Sequence, residues 1–301
     1  MSSRTKAFIA ILIASLLWGT AGVAAKILVR DVHPFITSFY RFLIASICIL
    51  PFFLREQKFR GIWKKLIPLS ILGSIHVPLF YIGIQTTTAN SSALIFAISP
   101  LATAFLSSVL IKEIHSKQKL IGIVLGFIGA VLIVLLPVLT NSQTLAGDLT
   151  GNLIIVGAML CWTLYTIGSR RTLSQNSYSP ITMTSLYFFT ATALSFFLCV
   201  ITRQHFFPTT LFSSSYIYAL LYSGIGLTLI TYFLYQWAIQ RISVTTASLK
   251  QYLEPVVGVV VNALFLGETI TLGFLFGSIL IFLGVAIATG SRVWGMIKKN
   301  F

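Results

Sequence analysis

The chain has 301 residues, of which 56% are hydrophobic and 9% charged, with a formal net charge of +15 and a mean hydropathy of +0.93. Soluble domains carry about 25% charged residues, so this composition excludes a soluble globular protein: so little polar surface cannot wrap so large a core. The basic residues are split among separate segments and form no single patch, which argues against a nucleic-acid partner and for a lipid bilayer as the surroundings.

A hydrocarbon slab about 30 Å thick is crossed by about 20 mostly apolar residues in a helix, and apolar runs of that length recur down the chain. In order, the predicted helices cover 7–29, 34–54, 66–85, 91–111, 118–139, 150–169, 180–201, 216–239, 244–266 and 271–290, joined by short loops. The fold class expected is an all-α integral membrane protein of ten transmembrane helices. The first helix follows a basic segment, but it runs too long for the apolar part of a signal peptide and lacks a small-residue cleavage site, so it should remain in the protein.

Alternate loops differ sharply in charge. One side collects Arg4, Lys6, Arg55, Lys58, Arg60, Lys64, Lys65, Lys112, Lys117, Lys119, Arg170, Arg171, Arg241, Arg292, Lys298 and Lys299. The other holds little beyond Arg30 and Arg203, with Lys26 near a helix end. By the positive-inside rule both termini are cytoplasmic, and the expected location is the plasma membrane, a bacterial inner membrane crossed many times. Cys48, Cys161 and Cys199 all lie in apolar segments without metal-ligand spacing, so neither a metal nor a cofactor is expected.

The chain repeats itself. GIQTTTANSSALIFAISPL, from Gly83, lies on AIQRISVTTASLKQYLEPV, from Ala238, without a gap, which sets Gln85 on Gln240 and Pro100 on Pro255. Beyond the prolines Glu113 falls on Glu268, Gly122 on Gly277 and Gly129 on Gly284. More loosely, LLWGTAGVAAK matches LCWTLYTIGSR and pairs Trp18 with Trp162. Five helices are thus duplicated, over 1–140 and 141–301. Five is odd, so the second copy enters the membrane from the opposite side, an inverted repeat of the kind that places a substrate site near the midplane between its halves.

The two halves, the LEPV…LGETIT pattern from Leu253 to Thr271, its counterpart SPLA…IKEI from Ser99 and the early LLWGT resemble the EamA type of the drug/metabolite transporter superfamily. The resemblance spans nearly the whole chain. It implies a ten-helix fold with a central cavity and alternating access for a small solute, and it leaves the solute open.

Within SLKQYLEPVV, Lys250 and Glu254 stand four residues apart, on one face of a helix where they can pair. Starting from Val244, a rise of about 1.5 Å per residue puts Glu254 near the midplane. A charge at that depth costs at least about 2.5–3.5 kcal/mol and faces a bundle interior or a wet cavity. Pro255 frees the carbonyl of Gln251 from its helical donor. Two readings stand: a mutually neutralising structural lock, or a substrate site in which Lys250 grips an anionic group. The repeat places Ile95 and Ser99 at the mirror positions, so the fold itself requires no charge there.

Gln251 and Tyr252 flank this pair and join it as substrate-binding candidates. His76 and Tyr81 on helix three, Trp18 and Tyr165 on helices one and six, and Tyr232 and Gln236 on helix eight complete the set, by depth and by aromatic character. Aromatic walls would suit a cationic or ring-bearing solute; interhelical packing is the plainer reading of the same rings. Arg41, about 10 Å below the outer surface, is expected either to snorkel outward or to pair with Asp31 or Glu268 in an outer gate, with Pro100 and Pro255 as further gating positions. Glu113 and Glu268 are expected to fix loops or gates.

The function expected is secondary transport of a small polar or zwitterionic metabolite, an amino acid or related compound first, by alternating access. An aminoacyl nucleoside such as S-adenosylmethionine, or export of cationic drugs, is the alternative. The partners expected are a small-molecule substrate and lipid, with the protein acting as a monomer. An intramembrane enzyme would need a nucleophile with its base or a metal cluster; no G-x-S-x-G, H-E-x-x-H or paired intramembrane acids occur. A channel would need rings of one charge sign or a carbonyl filter, which a single Lys–Glu pair fits badly.

Overall fold

Hydrocarbon offers no partner to a backbone N–H or C=O, so a chain this apolar closes its hydrogen bonds within helices. The computed structural model describes residues 3–56, 63–99, 101–102, 105–106, 117–140, 147–175, 179–239, 250–268 and 270–300, and among them there is no strand. Among the described residues, six helical stretches are long and apolar enough to cross a membrane: Thr5–Val29, Pro34–Leu54, Leu66–Thr86, Leu149–Ser169, Pro180–Ile201 and Ser214–Ala238. Shorter apolar helices cover Leu120–Ile133, Glu254–Leu266 and Leu272–Gly284.

The first span is two helices, α1 (Ser3–Gly19) and α2 (Ala21–Val29), broken at Thr20. Its hydroxyl donates to the Leu17 carbonyl at 2.7 Å and meets the Tyr222 hydroxyl at 2.6 Å. Proline at the first position and the His33 side chain at the N-cap start α3 (Pro34–Leu54). Helix α4 (Trp63–Thr86) turns within two residues into α5 (Ala89–Ala97), whose N-cap Thr88 accepts from the Ser91 N–H at 3.0 Å. Then come α6 (Lys117–Thr140), α7 (Leu149–Gln175) and α8 (Pro180–Ile201), the last capped by Ser179. A single span follows in three windings: α9 (Ser214–Leu221), a π-helix over Tyr222–Ile230, and α10 (Thr231–Ile239). The chain closes with α11 (Lys250–Leu266) and α12 (Leu272–Asn300).

Where they fall among the described residues, the predicted helices agree with these to within six residues, apart from three differences. Helix one is interrupted at Thr20, where Gly19 and Gly22 let α11 come close. A Cβ on Gly19 would stand 2.6 Å from Val257 Cγ1, and one on Gly22 would stand 3.0 Å from Asn262 Oδ1. Helix eight contains the π segment, and helix ten runs past 290 to Asn300. The start of the run predicted over 244–266, and most of 91–111 beyond α5, lie outside the described residues.

Helices pack in a pattern that survives exchange of the two halves. α3 lies on α8, α5 on α11 and α6 on α12, each pairing corresponding helices, while α4 on α7 has its counterpart in α1 on α10. At the α6–α12 contact a Cβ on Gly129 would lie 2.7 Å from the Gly277 carbonyl oxygen, and one on Gly284 would lie 2.6 Å from the Gly122 carbonyl oxygen. The 155-residue offset turns the first contact into the second. Small residues that let helix backbones touch are how helices associate in lipid, where burying apolar surface brings no gain over facing acyl chains.

Two buried clusters hold the bundle. One joins Leu94, Ile95, Ile133, Ile155, Met159, Phe274 and Ile281 across α5, α6, α7 and α12. The other is aromatic, with Phe42, Tyr81, Tyr165, Tyr187, Phe188 and Tyr232 from α3, α4, α7, α8 and α10. Large apolar side chains such as Ile47, Phe127, Phe197, Leu264 and Phe276 are left exposed on the periphery, the surface that acyl chains cover.

Candidate functional site

Beside the aromatic cluster lies a cavity of about 150 Å³. Trp18, Gly19 and Gly22 enter its wall from the broken first span, Arg41 from α3, His76 and Phe80 from α4, Ser92 and Phe96 from α5, Trp162 from α7, Tyr232 from α10, and Glu254, Pro255 and Asn262 from α11. Both halves of the chain contribute, and among the described lining residues Arg41 comes from the first and Glu254 from the second.

Arg41 is 8% exposed and held by two neutral oxygens. Its Nε donates to Thr228 Oγ1 at 2.6 Å and its Nη1 to the Tyr81 hydroxyl at 3.0 Å. The π winding prepares the first contact. Thr228 donates its own hydroxyl proton to the Ser223 carbonyl five residues back, at 2.8 Å, so its oxygen faces Arg41 as an acceptor. Gly224 keeps this segment tight on α3: a Cβ there would lie 3.2 Å from the Arg41 carbonyl oxygen. The same segment offers the Leu227 carbonyl to the Trp18 indole N–H at 3.1 Å. Single π turns inside α-helices are frequent at functional sites because they redirect side chains and carbonyls in this way.

This overturns the expected surroundings of Arg41. Asp31 sits beside Arg30 on the exposed loop at 4.0 Å, and Glu268 accepts from the backbone N–H groups of Ala89 and Asn90 at 2.7 and 2.8 Å. Neither reaches Arg41. The guanidinium does not snorkel, because α4 and the π segment cover it with hydroxyls that satisfy part of its donor set inside the bundle.

The aromatic wall is continuous. Trp18 meets Trp162 edge-on with ring centres 6.4 Å apart, so the two tryptophans that the internal repeat relates touch each other. Tyr232 lies 5.4 Å from Trp18 and 5.6 Å from Trp162. Its hydroxyl meets that of Tyr187 at 3.1 Å, and Tyr187 reaches His76 Nδ1 at 3.3 Å. A carbonyl can only accept, so the 2.6 Å contact between His76 Nδ1 and the Gly73 oxygen fixes the proton on Nδ1. Nε2 of a neutral His76 is then an acceptor.

Of the residues the sequence nominated, Trp18, His76, Tyr232, Glu254, Arg41 and Pro255 meet at this cavity. Tyr81, Tyr165 and Gln236 are buried but do not line it. Tyr81 supports Arg41 from behind, and Tyr165 backs the Trp162 ring at 5.6 Å. Pro100 lies outside the described residues, as do the side chains of Lys250, Gln251 and Tyr252. Asn262, Phe80, Phe96 and Ser92, which also line the cavity, were missed. Asn262 could have been found: it follows Glu254 and Gly258 along the i+4 row of α11, and an amide deep in an apolar run is a site candidate. Its Nδ2 donates to Asn90 Oδ1 at 3.2 Å. The aromatic residues carried no such signal.

A model of the EamA-like transporter family matches the chain twice, over residues 5–135 and 149–290. An uncharacterized transporter of Clostridium kluyveri is 25% identical over 95% of this chain and 94% of its own length. The uncharacterized transporter YyaM of Bacillus subtilis is 26% identical over 92% of this chain and 91% of its own. A WAT1-related protein of Arabidopsis thaliana is 23% identical over 100% of this chain and 94% of its own. A solved crystal structure with 21% identity superposes with a TM-score of 0.66 over 95% of this chain and 97% of that one, which establishes a shared fold.

Proposed function

The chain belongs to the EamA-like transporter family, a multi-pass membrane protein related to transporters along its full length, and on that premise we propose that it is a secondary carrier of a small zwitterionic metabolite, an amino acid or a close relative. The observation that carries this reading is the cavity, where one guanidinium, one carboxylate and a wall of aromatic rings converge from the two halves of the chain. A zwitterion presents the matching pair of charges, and a ring or apolar body suits Trp18, Trp162 and Tyr232. Alternating access is proposed on the same basis: ten helices in two inverted repeats, 1–140 and 141–301, rocking about the central site in the plasma membrane with both termini in the cytoplasm. The helix pairings that survive exchange of the halves and the reciprocal glycine contacts of α6 and α12 support that architecture.

Counterflow in proteoliposomes tests the proposal. Vesicles preloaded with unlabelled amino acids should take up the labelled compound at a rate that saturates and rises with the internal load. Flux that stays linear in concentration would indicate a channel, and no counterflow across the amino-acid panel would end the zwitterion reading.

A further inference from the structure

We propose that Arg41 is the anion-binding residue of the cavity and that the solute it selects carries a carboxylate; the inference rests on the carrier reading for the identity of the cavity as a transport site. Arg41 lies in an apolar span, 8% exposed, and lines the cavity. Its two hydrogen-bond partners, Thr228 and Tyr81, are uncharged. Among the described residues the Nη2 group has no partner, and Asp31 is paired with Arg30 on the exposed loop. A guanidinium does not give up its proton to escape this cost. A buried charge without a countercharge is strongly unfavourable, and an ionisable residue inside a membrane faces its partner or a solute path. The geometry supplies the missing element from solution: an anion.

The arrangement is ready to receive one. Bonds at Nε and Nη1 fix the plane of the guanidinium before the solute arrives, so little ordering remains on binding. The free amino group belongs to a rigid fork that matches carboxylate or phosphate oxygens. Charge count decides between those two. Arg41 is the only cation among the described lining residues, so a dianionic phosphate would bring two negative charges against one positive, whereas a carboxylate brings one. An ammonium on the same solute has the aromatic faces of Trp18, Trp162 and Tyr232 beside it.

Purified protein in nanodiscs tests this with four probes: phenylalanine, 3-phenylpropionate, which lacks the ammonium, 2-phenylethylamine, which lacks the carboxylate, and inorganic phosphate. Calorimetry on the wild type should rank both acids at least tenfold tighter than the amine, with phosphate weakest. Arg41→Gln should lose tenfold or more for the two acids and leave 2-phenylethylamine unchanged. Arg41→Lys keeps the charge without the fork and should lose less, again for the acids alone; with the wild-type ranking it decides the matter if the glutamine variant does not stay monodisperse. Unchanged acid binding in Arg41→Gln, an equal loss for all three organic probes, a wild type that binds no acid, or phosphate binding tighter than the carboxylates would each overturn the proposal. Acid binding through Arg41 in a protein that shows no counterflow would sustain the anion site and sink the carrier reading, whereas saturable counterflow confined to solutes without an acid group would do the opposite.

Discussion

The Glu268 carboxylate accepts a hydrogen bond from the Ala89 backbone N–H at 2.7 Å, across 179 residues of chain, and a second from Asn90 at 2.8 Å. The first turn of α5 leaves its N–H groups without helical partners, and a negative charge is favoured at a helix N-terminus. Gly267, at a φ of 65° just past the end of α11, turns the chain so that Glu268 reaches them. The expectation that Glu268 fixes a loop thus has a defined form: one half of the protein caps a helix of the other. Glu268→Ala should cost about 1–2 kcal/mol, the upper range for losing a cap, and Glu268→Gln less. A thermal midpoint in detergent unchanged by the alanine would dismiss the cap as a stabilising element.

The glycine contacts between α6 and α12 make a second prediction. Gly129→Ala and Gly284→Ala each place a methyl group against the partner's backbone, where nothing flexible can move aside, and overpacking of this kind costs about 1–3 kcal/mol. Gly157→Ala is the control, because its nearest neighbour would be Leu79 Cδ1 at 3.9 Å. Equal melting temperatures for all three variants would show that the two helices part easily.

Trp18 anchors the aromatic wall twice, through its rings and through its indole N–H on Leu227. Trp18→Ala and Tyr232→Ala should weaken a ring-bearing solute about tenfold more than a small aliphatic one, by removing stacking surface from the cavity. Competition against labelled phenylalanine by the two solute types reads this directly; equal losses would assign both residues to packing.

Lys250 and Glu254 stand four residues apart on α11, and a double change separates a lock from a binding site. Lys250→Met and Glu254→Gln should each lower counterflow at least tenfold. The pair of changes together removes both charges, so no orphaned charge is left to destabilise the fold, and the double mutant should be monodisperse and still inactive. Recovery of transport by the double mutant would identify the pair as a structural lock.

Loop charge predicts cytoplasmic termini. A reporter fused after Phe301 should read out in the cytoplasm. A readout on the opposite face would overturn the arrangement of ten helices with both ends inside.

Membrane residence, most helix boundaries among the described residues and the internal duplication were legible in the residues alone, because each depends on local chemistry: apolar length against bilayer thickness, loop charge, and a gapless self-match from Gly83 and Ala238. Depth was legible too, which is why Trp18, His76, Tyr232 and Glu254, all nominated from it, lie at the cavity. Direction was not. A helix in lipid is apolar on both its lipid face and its packed face, so periodicity does not say which side chains turn inward. Tyr81 and Tyr165 therefore looked equivalent to Trp162 until the fold set them behind the cavity wall, and Phe96 looked like any other apolar residue. Arg41 shows the same limit most clearly. Its depth fits an outer gate as well as a site wall, and the choice was made by a π-helix nearly 190 residues further along the chain, which turns the Thr228 hydroxyl toward the guanidinium. Such a contact depends on how two distant helices are wound and rotated against each other, and no local pattern of residue types encodes that angle.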